Sequence, residues 1–113
     1  MIQIKRVYDD YADSDGYRIL VDRLWPRGLT KEKAHVDEWA KEIAPSNELR
    51  EWFHHDTTRF AEFKTKYLQE LQEKKDLLAA IKQRAQHHRV TLVYGAKDKT
   101  NNQAQVLLSL LKK

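Results

Sequence analysis

Two short apolar runs, separated by a long helical stretch, constrain this chain more than any other feature. Ile19-Leu20-Val21 lies within a strand-like segment, residues 17–24, whose middle is apolar on both faces. Val90 to Tyr94 is a second such run, β-branched and aromatic. Strands buried on both faces belong to sheets covered on each side, the usual setting of parallel sheets in α/β proteins. The helical stretch between the runs is ample for a right-handed parallel crossover. A further strand is expected over residues 2–8, with Ile2 and Ile4 on one side and Gln3 and Lys5 on the other, as on a half-exposed edge. The polar loop from Asp9-Asp10 to Asp13-Ser14-Asp15-Gly16 is short for a crossover, so the relative direction of the first two strands stays open. The expected fold is a small α/β single domain over residues 1–113, with a central, mostly parallel sheet of about three strands flanked by helices.

The helical stretch divides at its punctuation. Pro26 and Gly28 break the second strand, and Thr30 is a good N-cap. Val36, Trp39, Ala40 and Ile43 fall at i, i+3, i+4 and i+7, which predicts an amphipathic helix over 31–43 ended by Pro45. Ser46 can cap a short helix carrying Leu49, Trp52 and Phe53. Asp56 or Thr58 caps the next, with Phe60, Phe63, Tyr67 and Leu71 along one face. Leu77, Leu78, Ile81 and Ala85 continue it or follow a break near Lys74-Lys75-Asp76. Thr100 or Asn101 caps the last helix, with Ala104, Leu107, Leu108 and Leu111 inward. The aromatic residues on these faces are expected in the core and not around a cofactor.

Composition excludes several chemistries. The chain has no cysteine, which removes disulfides, thiolate nucleophiles, iron–sulfur clusters and cysteine-ligated zinc. There are three glycines in all, with no phosphate-cradling loop and no nucleophile elbow, so no cofactor is expected. Lysine plus arginine number 21 against 17 acidic residues, a net charge of +4. That is mildly basic, short of a dedicated nucleic-acid surface, and suits small anions. The basic run from Lys64 to Arg89 is diluted by Glu62, Glu70, Glu73 and Asp76, which makes nucleic acid the weaker expectation. No apolar run is long enough for a bilayer, so no membrane partner is expected. The start reads as a strand and not a signal peptide, and the cytoplasm is the expected location.

The candidate site lies where the two buried strands stop. Asp22-Arg23-Leu24-Trp25-Pro26-Arg27-Gly28 follows one, and Gly95-Ala96-Lys97-Asp98 the other. Parallel neighbours would bring both ends to one rim, beside the N-terminus of the last helix. Arg23, Arg27 and Lys97 would supply charge, Trp25 a stacking wall, Asp22 or Asp98 orientation, and Asn102 a further polar contact. The competing arrangement is a structural network: Asp22 paired with Arg27, Asp98 capping the last helix, Trp25 filling core. Alanine at Arg23 separates the two, since a ligand residue can be lost with the melting temperature nearly unchanged. His35, His54-His55 and His87-His88 show no metal-ligand spacing, so no metal is expected. His55 beside Asp56 is a lesser acid–base candidate.

The string Asp-Gly-Tyr-Arg-Ile-Leu-Val-Asp-Arg-Leu-Trp-Pro-Arg-Gly-Leu, residues 15–29, resembles the signature of the YeaO-like proteins, the bacterial family called domain of unknown function 488. The resemblance continues through Lys31 to Ala34, Lys41 to Ser46, Trp52-Phe53 and His55-Asp56, and closes with Val90 to Tyr94, Ala96-Lys97-Asp98 and Asn101-Asn102. It spans nearly the whole chain. Longer relatives carry cysteine chemistry near the last strand; here that stretch holds Lys97, Asp98 and Asn102 and no thiol, so the chemistry does not transfer. The resemblance therefore implies a family and no reaction. The residues favour recognition of a small anionic ligand at the rim of residues 22–28 and 95–102. The alternative is a regulatory or nucleic-acid-associated interaction module without catalytic activity.

Overall fold

A computed structural model describes residues 1–112 and confirms a small α/β domain built on a four-stranded sheet. Strands β1 (Ile2–Arg6), β2 (Tyr17–Leu20), β3 (Glu38–Trp39) and β4 (Val90–Tyr94) are ordered β1-β4-β2-β3. Every neighbouring pair is parallel. The open question of direction is thereby answered: β1 and β2 are parallel to each other and lie on either side of β4. Ten residues suffice for the return because β1 is only five residues long, and an extended loop of ten spans roughly 33 Å. Asp15 anchors that return, its carbonyl accepting from Thr91 Oγ1 at 2.6 Å.

Side chains alternate between the two faces of the sheet as the pleat requires. Ile19, Val21, Val90, Leu92 and Tyr94 point into the larger core, with Ile2 and Ile4 packed against it. This core is covered by α2 (Asn47–Phe53), α3 (Phe60–Leu71), α4 (Lys75–His87) and α5 (Gln103–Leu111). Leu20 and Val93 point the other way, into a smaller cluster with Val7 and Ala34, closed by Trp25, Leu29 and Val36. On that second face Gln3 Nε2 donates to Thr91 Oγ1 and Lys5 pairs with Asp15.

Arg18 is the unexpected member of the second face, 1% exposed in the middle of a strand. Its Nη1 meets Asp15 Oδ2 at 2.6 Å, and its Nε and Nη2 donate to the carbonyls of His35 and Ala34. A buried charge is tolerable only when so paired and hydrogen-bonded. Gly16 makes the adjacent turn possible. It adopts φ +70°, and a Cβ there would lie 2.3 Å from the carbonyl oxygen of Arg89.

Several local expectations are corrected. The helix expected over 31–43 is only α1 (Lys31–Ala34), capped by Thr30 and closed by His35 at φ 50°. The chain then turns to pair with the open edge of β2, Asp37 N donating to Arg18 O and Ala40 N to Leu20 O. Backbone pairing along that edge outweighs a segment of middling helix formers. Trp39 is consequently 37% exposed, and its indole donates to Asp22 O. The strand expected over 17–24 ends at Leu20, with Val21 N adding one bond to Val93 O. α3 and α4 are joined by a 3-10 turn, Gln72–Lys74, and Leu77 faces outward at 41% exposure. The last helix is capped by Asn102 and not by Thr100 or Asn101. Among the described residues no helix is long and apolar enough to cross a membrane.

Candidate functional site

The carboxyl ends of β2 and β4 lie side by side, and the chain leaves them in opposite directions. After β2 it turns onto the face of Leu20 and Val93, where Trp25 and Leu29 pack. After β4 it enters α5 on the face of the larger core. Diverging exits from adjacent parallel strands leave a crevice, the usual place for a ligand in open α/β sheets. Here it is a cavity of about 370 Å³.

Asp22 sits at its strand-end wall. Its Oδ2 accepts from Gly95 N at 2.9 Å and its Oδ1 accepts from the Gln103 amide. Burial pushes its pKa up from 3.8 to about 6, against the opposing pull of the Gly95 and Gln103 hydrogen bonds. Only glycine suits position 95 without displacement, since a Cβ there would stand 2.9 Å from Asp22 Oδ2. This arrangement ties the end of β2 to the end of β4 and the start of α5.

Arg23 also lines the cavity, but its guanidinium is anchored. Nε donates to Pro45 O at 3.2 Å and Nη2 to Ala44 O at 3.0 Å. Those carbonyls follow a single 3-10 turn, Lys41–Ile43, which the fully buried Tyr67 holds from beneath by donating to Ile43 O. Ser46 then caps α2 and binds Glu70 of α3. Arg23 thus ties the cavity wall to the carbonyls of Ala44 and Pro45.

Trp25 is half-buried against the smaller cluster, donates its Nε1–H to Leu29 O and meets Trp39 edge-on at 5.4 Å. Arg27 is exposed at the mouth. Its carbonyl accepts from Tyr8 at 2.9 Å, while its guanidinium has no hydrogen bond or ion pair among the described residues. The pairing of Asp22 with Arg27 that the sequence allows does not form. Asn102 lines the cavity with its amide engaged at both ends: Oδ1 accepts from Gln105 N, and Nδ2 donates to Asp98 O.

Five of the seven expected residues, Asp22, Arg23, Trp25, Arg27 and Asn102, therefore converge on the cavity, while Lys97 and Asp98 do not line it. Asp98 closes the turn before α5, accepting from Thr100 and Asn101. The Asn101 and Thr100 hydrogen bonds hold its pKa well below the ordinary carboxylate value. The cavity adds Arg50, Phe53, Phe63 and Gln103, which the sequence did not mark as site residues, and His55, which it did as a lesser candidate. Phe53 and Phe63 stack at 4.4 Å; their helical stripe was legible, but a stripe cannot say that its end borders a cavity. Gln103 lies 81 residues from Asp22, and no local signal could have paired them. His55 follows His54, both in the left-handed region at φ 56° and 45°. Among the described residues no group of three or more metal-ligating side chains converges.

The whole chain, residues 1–113, matches the model of the family described as the inactive DUF488-N3 subclade. The uncharacterized protein YeaO of Escherichia coli strain K12 is 49% identical over 98% of this chain and 96% of its own length. The uncharacterized proteins Mb3100c of Mycobacterium bovis and Rv3073c of Mycobacterium tuberculosis are each 41% identical, over 97% of this chain and 92% of theirs. No solved structure matches the chain significantly.

Proposed function

The chain belongs to the inactive DUF488-N3 subclade, and on that premise we propose that it binds a small anionic ligand in the cavity between residues 22–28 and 95–102. The observation that carries this reading is an imbalance of charge. Arg23, Arg27 and Arg50 line the cavity with one carboxylate, Asp22. None of the three arginines forms an ion pair among the described residues. Arginines that line a cavity beside a single carboxylate and make no ion pair suit a carboxylate, phosphate or sulfonate brought by a ligand.

Arg27 is the principal cation of this reading, being at the mouth and unengaged. Arg50 is the second, its Nη2 making only a 3.4 Å contact to Asn47 Oδ1. Arg23 holds the wall and Asp22 the strand ends. The subclade's description accords with binding without turnover. Lys97 serves only as a charge beyond the rim.

A thermal-shift screen of anions and anionic metabolites tests the proposal, with Arg27→Ala and Arg50→Ala run in parallel. A ligand at about 100 times its Kd adds roughly 2.7 kcal/mol, a rise of several degrees. Both variants are expected to melt like the parent and to lose the shift. A shift that survives in both variants, or no shift across the panel, overturns the reading.

A further inference from the structure

The two edges of the sheet are unlike. β3 has two residues, and so short an edge strand offers little to pair with. β1 is five residues long and runs in unbroken register along β4, without proline or bulge. Val90 N donates to Met1 O and Val7 N to Tyr94 O, so Met1, Gln3, Lys5 and Val7 turn their backbone groups toward β4. A parallel ladder with that parity leaves the groups of Ile2, Ile4 and Arg6 turned outward. Among the described residues the N–H and C=O of Ile2 and Ile4 have no hydrogen-bond partner.

Charged side chains, lysine above all, usually keep an open edge from pairing. Those of β1 are drawn away from it. Lys5 Nζ meets Asp15 Oδ2 at 3.1 Å, and Arg6 Nε donates to Ala96 O at 2.8 Å. The helix above this edge is bare of charge as well. α5 packs over β1 and β4 and has no charged residue from Gln103 to Leu111, in a chain that is 34% charged. Its Leu108 is partly exposed and packs against neither apolar cluster.

We infer that β1 pairs antiparallel with β1 of a second copy of this chain, joining two four-stranded sheets into one. A second copy is the fitting occupant because the strand complements itself in one register. With the dyad at Ile4, all three outward residues find backbone partners: Ile4 meets the partner's Ile4, and Ile2 meets the partner's Arg6 on either side. The two Ile4 side chains then form a β-branched cross-strand pair, and Gln3 stands beside the partner's Lys5. No like charges are opposed. Moving the dyad to Lys5 sets that ammonium against its own copy, which destabilises a pair of strands. Moving it to Gln3 leaves Arg6 facing nothing. The Ile4 dyad also brings the two α5 helices side by side on one face, roughly two strand spacings or about 10 Å apart, an ordinary distance between packed helices. The carboxyl ends of the two sheets face opposite ways, so both cavities stay open and the pairing is independent of anion binding.

Sedimentation of the parent protein from micromolar to millimolar concentration, with amide hydrogen exchange on the same samples, tests the pairing. A monomer–dimer equilibrium is expected, with the Ile2 and Ile4 amides exchanging at least tenfold more slowly in the dimer. Ile4→Pro removes an N–H that faces away from β4, a position where an edge strand accepts proline, and is expected to stay monomeric throughout. A parent that remains monomeric at millimolar concentration overturns the inference and leaves the edge to a strand of another protein. A dimer whose Ile4 amide exchanges as fast as in the monomer overturns it too, because another surface then holds the copies together. So does a folded Ile4→Pro that dimerises like the parent. Should that variant fail to fold, Ile4 exchange in the parent decides alone.

Discussion

Replacing Asp22 with asparagine should make the protein more stable above pH 6 and leave it unchanged at acid pH. Asparagine keeps the shape, accepts from Gly95 N through its oxygen, and needs only a flip of the Gln103 amide to satisfy its NH₂. In the unfolded chain the Asp22 carboxyl loses its proton near 3.8, and in the native protein near 6. Between those values the native state holds a proton that the unfolded state has released. Stability therefore falls as pH rises through the window, by about 1.36 kcal/mol per pH unit. The interval from 3.8 to about 6 makes the full penalty roughly 3 kcal/mol, complete above pH 6 and absent below 3.8. The asparagine variant carries no such penalty. Urea titrations of parent and Asp22→Asn at intervals from pH 4 to 8 read the difference. With a slope of about 1–3 kcal/mol/M, the midpoints should separate by on the order of 1–3 M at pH 8 and converge near pH 4. Curves that stay parallel over the whole range would refute the reasoning, since Asp22 would then ionise alike in the folded and unfolded chain.

The Arg18–Asp15 pair is the second pressure point. Asp15→Ala strands a charge that is 1% exposed, and should cost about 3–5 kcal/mol in denaturant unfolding, far more than alanine at the exposed Asp56–Arg59 pair. Gly16→Ala imposes a side chain at φ +70° and drives its Cβ into Arg89 O; a loss of at least about 2 kcal/mol is expected, with earlier amide exchange at Tyr17, whose N–H is bonded to that oxygen. Arg23→Ala, unlike Arg27→Ala, should lower the melting temperature, because it removes both donors to Ala44 and Pro45; an unchanged melting temperature would count against its anchoring role.

The strand and helix faces were legible because each is a pattern among near neighbours. Ile2 and Ile4 opposite Gln3 and Lys5, and the Phe60, Phe63, Tyr67 and Leu71 stripe, need only the periods of pleat and helix. Ser46 and Thr30 were legible as caps for the same reason. The segment from His35 to Ala40 was not. Its spacing fits a helix, yet β2 has an open edge beside it, and backbone groups unpaired there find partners in Asp37 and Ala40. Arg18 was equally hidden: its burial depends on Asp15 and on the carbonyls of Ala34 and His35, which close around it only in the fold.

For the site, the amino-acid sequence by itself determined that two apolar strands end in polar turns carrying Asp22, Arg23, Trp25 and Arg27, because a strand end needs only its own residues to be recognised. Only the tertiary structure decided which of these face a common cavity. Strand order put β4 beside β2, and that alone brought Gly95 and Gln103 to Asp22, buried its carboxyl, and moved Lys97 and Asp98 aside. The division follows from distance along the chain. Local order is written in neighbouring residues, whereas burial and charge at a site are set by groups tens of residues away that meet only once the sheet has formed.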